Sequence, residues 1–281
     1  EELGVSPDRV RVPGGDKRLT PYDRSTGASR STTLAGMAVL RAAQDIQQQL
    51  LAVGSRFLDL PEAALEIREG GVWHEGEKIS FPDLIKFHFG MVGGELMGNG
   101  TVRPEKGSGS YAEGPVFWEV CIGGVELAVD PDTGVVTLNK VVSVADVGKA
   151  LNPRQVVTQE MGGATQGIGN ALFEEMIYDE TGTLQNATLY EYHVPTIADM
   201  PRSFSSNIVE NEDGPGPYGA KGVGEGALAG VTAAVATALA DAGIHINELP
   251  ATPERIWWAM QDVQTAESTG DAGIEVQGGD D

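Results

Sequence analysis

A run of alternating apolar and polar residues, interrupted by one turn, most constrains the fold of this chain. The run extends from 116 to 147, and its turn at 130–134 contains Pro131, Asp132 and Gly134. Alternation with many β-branched residues is typical of strands that bury one face, and Pro, Asp and Gly between such strands are typical of a hairpin turn. The pattern therefore predicts an antiparallel hairpin, so the chain is not all-helical.

Helical patterns lie on both sides of this hairpin. Apolar residues recur every three to four positions over 33–57, which predicts an amphipathic helix. A short helix is predicted at 81–89, opened by Ser80, and two short strands are predicted around Gly70. Further elements are predicted as helices at 152–175, 225–242 and 253–260, a turn at 179–182 and a strand at 204–209. We expect an α+β fold with mixed and antiparallel sheets and packed helices.

Glycine is unusually frequent in this chain. It accounts for 38 of the 281 residues, about twice its usual share of roughly 7%. The predicted helix at 152–175 is especially rich in Gly and Ala, which would weaken it in isolation. We therefore expect this helix to pack closely against another element or a bulky ligand.

Charge and cysteine content exclude several classes of function. The net charge is −22, which argues against nucleic acid and anionic membranes as partners because both require clustered Lys and Arg. Cys121 is the single cysteine, so an internal disulfide, a cysteine-based zinc site and an iron–sulfur cluster on this chain are excluded. No apolar run approaches the roughly 20 residues of a membrane span, and no secretory signal is visible. We expect a soluble, cytoplasmic protein.

A glycine-rich loop at 214–224 precedes the predicted helix at 225–242, as in many phosphate sites. It does not match a P-loop, because Ala220 separates Gly219 from Lys221 and Gly222 stands where a hydroxyl is required. It does not match a dinucleotide-binding fingerprint either, since its later glycines are spaced by two and no parallel-strand unit surrounds them. Both nucleotide-binding interpretations therefore fail.

Glu225 remains as the candidate functional residue of this segment. It begins an almost chargeless helix, with Lys221 four residues before it. Backbone N–H groups at a helix start favour a negative charge there, which suits a carboxylate base. On the local pattern alone, ordinary helix capping is the simpler interpretation of this position.

Two other segments are candidates for binding. Residues 26–32 combine hydroxyls, small side chains and N–H donors ahead of the first long helix, which suits an anionic or polar ligand; a cluster of capping residues is the alternative. Gln159 has no distinguishing local pattern, and a solvent-facing position is the simplest interpretation of it. The histidines, which show no spacing typical of a metal site, are His74, His88, His193 and His245.

In this order, these segments resemble the molybdenum-binding subunit of the xanthine oxidase family of molybdenum hydroxylases. The resemblance covers nearly the whole chain to about Met260. It is carried by four stretches: 20–32 with Gly27-Ala28-Ser29-Arg30-Ser31-Thr32, 129–153 ending in Leu151-Asn152-Pro153, 159–169 beginning at Gln159, and Gly219-Ala220-Lys221-Gly222-Val223-Gly224-Glu225.

The resemblance implies a fold and a set of site residues. The fold would be the second molybdopterin-binding domain of that family, over 1–262, followed by an acidic and disordered tail at 263–281. Glu225 would be the catalytic base, which takes the proton of the hydroxyl that attacks an electron-poor carbon of the substrate. The implied cofactor contacts are Thr26, Ala28, Ser29, Arg30, Ser31, Thr32, Gln159, Lys221, Gly222, Val223 and Gly224. Where many relatives follow the glutamate with proline, this chain has Gly226-Ala227.

The resemblance also implies cofactors and partners. The cofactor would be molybdenum on molybdopterin, in its cytosine dinucleotide form, and a small molecule, an aldehyde or a nitrogen heterocycle, would be oxidised with water as the oxygen donor. A subunit carrying the N-terminal half of the molybdopterin site would complete the active site, because the substrate-selecting part of the family is missing here. We therefore expect either a split subunit or a fragment. Electrons would pass to an iron–sulfur subunit and an FAD subunit.

Two other functions stay open at this point. The chain could be a non-catalytic assembly or cofactor-maturation partner that keeps the same fold. It could also be an anion-binding protein that uses the glycine loop.

Overall fold

The computed structural model describes residues 1–18, 20–23, 25–90, 93–103 and 117–269, with the backbone alone at 262–269. The chain divides into two compact units. Unit 1 is Glu1–Phe117 with Asp213–Gly222, and unit 2 is Trp118–Glu212 with Val223–Asp281. The interval 1–262, expected to be one domain, covers unit 1 and most of unit 2. Among the described residues, no helix combines the length and the apolar composition that crossing a membrane requires.

Unit 1 packs a long helix against a small antiparallel sheet. Helix α1 (Gly36–Leu58) follows a π-helical turn (Ser31–Ala35), and strands β1 (Glu66–Arg68), β2 (Gly71–His74) and β3 (Glu77–Ser80) form a sheet in that order. Helix α2 (Phe81–Phe89) begins where Ser80 Oγ accepts the N–H of Asp83 at 3.3 Å. The core contains Leu50, Val53, Val72 and Leu84. The amphipathic helix, the hairpin around Gly70 and the short capped helix are thus confirmed.

Strand β3 is the element of unit 1 that the sequence pattern did not indicate. It is four residues long, and Glu77 and Lys78 are exposed, so apolar alternation is missing. The turn before it places Glu75 and Gly76 at positive φ, 47° and 88°. Its pairing with β2 completes the sheet. One apolar position, Ile79, is too few to predict a strand from the sequence.

Unit 2 is built on the hairpin that the sequence predicts. Strands β4 (Val120–Val129) and β5 (Val136–Asp146) pair antiparallel, and β6 (Ser203–Val209) pairs with β5 in parallel, which makes the sheet mixed. In the turn, Asp130 Oδ1 accepts the N–H groups of Asp132 at 2.9 Å and Thr133 at 3.1 Å. Gly134 has φ 72°, which favours glycine. The hairpin and the strand at 204–209 are confirmed.

Three helices complete unit 2: α3 (Pro153–Leu172), α4 (Gly226–Asp241) and α5 (Pro253–Thr269). Helix α3 begins where Asn152 Oδ1 accepts the N–H of Gln155 at 3.2 Å. Helix α5 continues to Thr269 instead of ending near Met260. The part of the expected disordered tail at 270–281 lies outside the described residues. The core contains Val141, Ile168, Val231, Val235, Leu239 and Ile256.

Glycines let α3 and α4 approach each other closely. A Cβ atom on Gly167 would lie 2.7 Å from the carbonyl oxygen of Leu228, and one on Gly163 would lie 3.3 Å from the Cβ of Ala227. The small residues of α3 therefore permit nearly backbone-to-backbone packing. This confirms the expectation of close packing and shows that the partner of α3 is another helix.

Candidate functional site

The candidate residues are distributed over both units. The division between the units falls within the segment 219–225, between Gly222 and Val223. Unit 1 contains Thr26, Ala28, Ser29, Arg30, Ser31, Thr32, Lys221 and Gly222, whereas unit 2 contains Gln159, Val223, Gly224 and Glu225.

The loop at 26–32 in unit 1 has an unusual backbone held by its own arginine. Ala28 and Ser29 both adopt left-handed φ angles, 59° and 53°. Such angles cost roughly 1–3 kcal/mol per residue and persist only where the surrounding structure holds them. Arg30 donates to the carbonyl of Ser25 at 2.9 Å and to Asp23 Oδ1 at 3.1 Å. The Arg30 side chain therefore braces the loop at 26–32 from the residues just before it.

Gly222 packs directly against this loop. A Cβ atom at 222 would lie 2.9 Å from the Cβ of Ser29 and 2.8 Å from Cζ of Phe117, and it would overlap the carbonyl oxygen of Ser29. Two segments that the sequence singled out are thus brought together within unit 1. The contact requires glycine because backbone occupies the space.

Replacing Gly222 with alanine is expected to displace the Ser29 backbone. If the loop at 26–32 contacts a bound cofactor, molybdenum content of the purified protein should fall severalfold while the protein remains folded. Gly15→Ala is the matched control, because Gly15 is exposed, lies outside this loop, and a Cβ there meets nothing within 4 Å. Equal metal content in the two variants would contradict the prediction.

The rest of the glycine loop uses its polar groups internally. The N–H of Gly214 donates to the carbonyl of Gly219, and the N–H of Gly216 donates to that of Ala220, both at 2.9 Å. The Lys221 ammonium lies 2.6 Å from Asp213 Oδ1, and its side chain is only 10% exposed. An anion-binding role for this loop is therefore disfavoured, since its main cation already has a carboxylate partner.

In unit 2, Gln159 lies on α3 and reaches the segment before Glu225. Its Nε2 donates to the carbonyl of Gly224 at 2.9 Å, across 65 positions of sequence. It also lines an open groove of about 600 Å³ at the start of α3, whose walls are Asn152, Arg154, Gln155, Thr158, Gln159 and Gly162. Amides, a hydroxyl and one guanidinium are donors and acceptors suited to a polar heterocycle that carries an anionic group.

Glu225 is exposed and occupies the capping position of α4. Among the described residues its side chain makes no capping bond to the helix. The N–H groups of Glu225 and Gly226 instead donate to Oε1 of Glu119, at 3.2 and 2.9 Å. Before it in the chain, Val223 packs against a small apolar cluster that includes Val147. Ordinary capping is therefore not what the Glu225 carboxylate does.

Glu160, next to Gln159 in sequence, is a buried acid that pattern analysis missed. It is 1% exposed, and the thiol of Cys121 donates to its Oε2 at 3.4 Å. Burial raises the pKa of Glu160. Burial and the nearby Glu160 charge raise the pKa of Cys121 to about 12, so this thiol is no nucleophile at neutral pH. Within the described ranges, no three His, Cys, Asp or Glu side chains are grouped so that they could hold a metal ion.

Glu119 is the other residue that sequence analysis missed. Its partners lie 106 and 107 positions away, so no local spacing could reveal them. The available signal is weak: an acid follows the aromatic residues Phe117 and Trp118 at the start of a predicted strand.

Comparison with known proteins identifies the family. The model of the molybdopterin cofactor-binding domain matches residues 1–201, which include the loop at 26–32 and Gln159 but not Glu225. The probable hypoxanthine oxidase of Escherichia coli (strain K12) is 33% identical over 266 residues, which are 94% of this chain and 27% of that protein. The gamma subunit of the 6-hydroxypseudooxynicotine dehydrogenase complex of Paenarthrobacter nicotinovorans is 29% identical over 279 residues, 95% of this chain and 34% of that protein.

The fold agrees with solved structures of related enzymes. Quinoline 2-oxidoreductase from Pseudomonas putida 86 superposes with a TM-score of 0.76 at 26% identity, over 93% of this chain and 34% of that one. The chain thus spans about a third of the length of the proteins it matches. Its fold is that of molybdenum-binding subunits of the xanthine oxidase family, as the resemblance implied. The chain belongs to the family of molybdopterin cofactor-binding domains.

Proposed function

We propose that this chain is part of the catalytic subunit of a molybdopterin-dependent hydroxylase or dehydrogenase. The substrate would be an aldehyde or a nitrogen heterocycle, in which a C–H bond is replaced by C–OH. Water supplies the oxygen, and two protons and two electrons are released. The bound molybdenum cofactor would supply the two-electron acceptor.

The hydrogen bond from Gln159 to the carbonyl of Gly224 carries this proposal. The resemblance assigns Gln159 to pterin binding and Glu225 to proton transfer, although they are far apart in sequence. Direct bonding between Gln159 and the residue before Glu225, at 2.9 Å, supports a common role.

The residues present fit a molybdopterin. The groove on α3 offers the amides of Asn152, Gln155 and Gln159, the hydroxyl of Thr158 and the cation of Arg154. These groups can pair with the edge of a pterin and with its phosphate. In unit 1, the loop with left-handed backbone at Ala28 and Ser29 would contact a ligand through its N–H groups. Lys221, Val223 and Gly224 would act mainly through backbone, since the side chains of Lys221 and Val223 have partners within the protein.

Glu225 is proposed to move the proton. Its carboxylate oxygens would take the proton from the attacking water-derived hydroxyl, which requires hydrogen-bond reach of that atom. The position of its backbone is set by Glu119 and Gln159 rather than by the carboxylate itself. Its side chain is exposed at the helix start, where a substrate could approach.

Partner chains and cofactor details are part of the same proposal. Relatives include a subunit of a dehydrogenase complex, and this chain spans about a third of the relatives' length. We therefore propose that the N-terminal half of the molybdopterin site, on a partner subunit or on more of the same polypeptide, completes the active site. We also propose an iron–sulfur subunit and an FAD subunit, all in the cytoplasm, with the cytosine dinucleotide form of the pterin. Cys121 is the single cysteine of this chain, so iron–sulfur clusters would be bound by partners.

Metal and pterin analysis of the purified complex tests the proposal. We expect molybdenum and pterin in amounts equal to that of this chain, and oxidation of at least one of hypoxanthine, quinoline and benzaldehyde with an artificial electron acceptor. A fully assembled complex that contains neither metal nor pterin would refute the proposal and favour a non-catalytic assembly or maturation partner. Stabilisation by inorganic phosphate alone would instead favour an anion-binding protein.

A further inference from the structure

The carboxylate of Glu119 holds the start of α4 from a distant part of the chain. Its Oε1 accepts the N–H of Gly226 at 2.9 Å and the N–H of Glu225 at 3.2 Å. Glu119 immediately precedes β4, so the bonds join the residue before that strand to the start of α4. Both donors are among the N–H groups that a helix start leaves without a partner inside the helix.

At the start of α4, the side chain that accepts the backbone N–H groups belongs to a different residue from the one at the capping position. A polar residue at the start of a helix commonly uses its own side chain as the acceptor for nearby N–H groups. At α4, Glu119 is the acceptor, and among the described residues the Glu225 side chain makes no such bond. The backbone of Glu225 is therefore held without the help of its carboxylate.

The contact is also tightly packed. A Cβ atom on Gly226 would lie 3.0 Å from Oε1 of Glu119, 3.1 Å from Cγ of Glu119 and 3.0 Å from Cβ of Cys121. Glycine at 226 thus allows the start of α4 to lie against the start of β4. Removal of the Glu119 carboxylate would therefore take away both hydrogen bonds and packing contacts from the start of α4.

The charge of Glu119 is balanced by the helix start itself. The N-terminus of α4 carries partial positive charge, which favours a carboxylate there. The charge of Glu119 also acts on Glu160. Burial is the main cause that raises the pKa of Glu160, and the negative charge of Glu119 raises it further. Glu119 therefore interacts with both of the helices that carry candidate residues, α3 and α4.

We propose that Glu119 is a positioning residue for Glu225, which its hydrogen bonds to the backbone at 225–226 keep in place for proton transfer. The inference rests on the proposed function, because it assumes that Glu225 is the base. A proton acceptor displaced by about 1 Å can lose about 100-fold in rate, so an anchor of this kind has a measurable effect on turnover. The effect should fall on kcat, since Glu119 has no proposed contact with substrate.

Two substitutions at 119 separate hydrogen bonding from charge. Glu119→Ala removes the acceptor, whereas Glu119→Gln keeps an oxygen that can accept both bonds. Glu126→Ala is the control, because Glu126 is an exposed acid on β4, the strand that Glu119 immediately precedes. For the assembled complex we would measure kcat, KM, molybdenum content, thermal stability and, by mass spectrometry, amide hydrogen exchange at 225–226.

In Glu119→Ala we expect kcat to fall by about tenfold or more, with KM within about twofold and molybdenum content unchanged. Amide exchange at 225–226 should be faster than in the unsubstituted protein. Glu119→Gln should return exchange to normal and kcat to within about threefold, and Glu126→Ala should change neither.

Several outcomes would overturn the inference. One is Glu119→Ala with normal kcat and normal exchange at 225–226. Another is a parallel loss of metal, stability and kcat, which would mean a general structural role. Equal loss of kcat in Glu119→Gln and Glu119→Ala would exclude hydrogen bonding as the cause. Normal turnover of Glu225→Gln would instead refute the base assignment itself, and the two failures are therefore distinguishable.

Discussion

Substitution of Glu225 by glutamine is expected to lower kcat by about 100- to 10,000-fold, the usual contribution of a general base. Glutamine has nearly the same shape and can still form hydrogen bonds, but it cannot accept the proton. The backbone anchors at Glu119 and Gln159 do not involve the substituted side chain, so fold and cofactor content should be retained. Steady-state turnover per bound molybdenum is the measurement.

Glu254→Gln provides a matched control for this variant. Glu254 is an exposed acid in the first turn of another helix, α5. Loss of one negative charge at a helix start should cost little, so Glu254→Gln should keep normal turnover. Near-normal kcat in Glu225→Gln with full molybdenum content would show that another residue is the base.

Gly167→Ala is expected to destabilise the protein by about 1–3 kcal/mol. The added Cβ would lie 2.7 Å from the carbonyl oxygen of Leu228, so α3 and α4 would have to move apart. Such a shift would disturb the most buried part of unit 2, including Ile168 and Val231. The denaturant midpoint of the assembled protein measures the effect.

Gly162→Ala, five residues earlier on α3, should have the opposite effect. A Cβ on Gly162 meets nothing within 4 Å and the position is exposed. Alanine is a better helix former than glycine by about 1 kcal/mol, so this variant should be slightly more stable. If Gly167→Ala were as stable as Gly162→Ala, the close packing of α3 on α4 would be refuted.

The elements that the sequence predicts correctly are those that carry their own local signals. The β4–β5 hairpin has alternating strands and a turn with Asp130 and Gly134, and α3 has Asn152 at its start. The pairing of β6 depends instead on a long connection that returns the chain to β5 in parallel. Nothing in the residues of β6 specifies its neighbour, and β3 has too few apolar positions to be recognised.

The residues of the candidate site also divide into those with a local sequence signal and those without one. Glu225 can be singled out from its position before an apolar helix, and Gly222 from the glycine loop. Gln159 could be found only through the resemblance to a family, because its partner lies 65 positions along the chain. Neither the local pattern nor the family resemblance indicates Glu119. Its hydrogen bonds join it to the backbone of residues more than a hundred positions away, and only the structure shows them.

The distance in sequence between Glu119 and the start of α4 has a kinetic consequence. A loop of more than a hundred residues must close before these bonds form, and the entropy of that closure is lost before the contact compensates for it. The β4–β5 hairpin, with its short turn, can form without this cost. We therefore expect Glu225 to reach its place late in folding, after the hairpin and α3. A substitution that slows the docking of α4 would then reduce the yield of active protein without changing the activity of the molecules that finish folding.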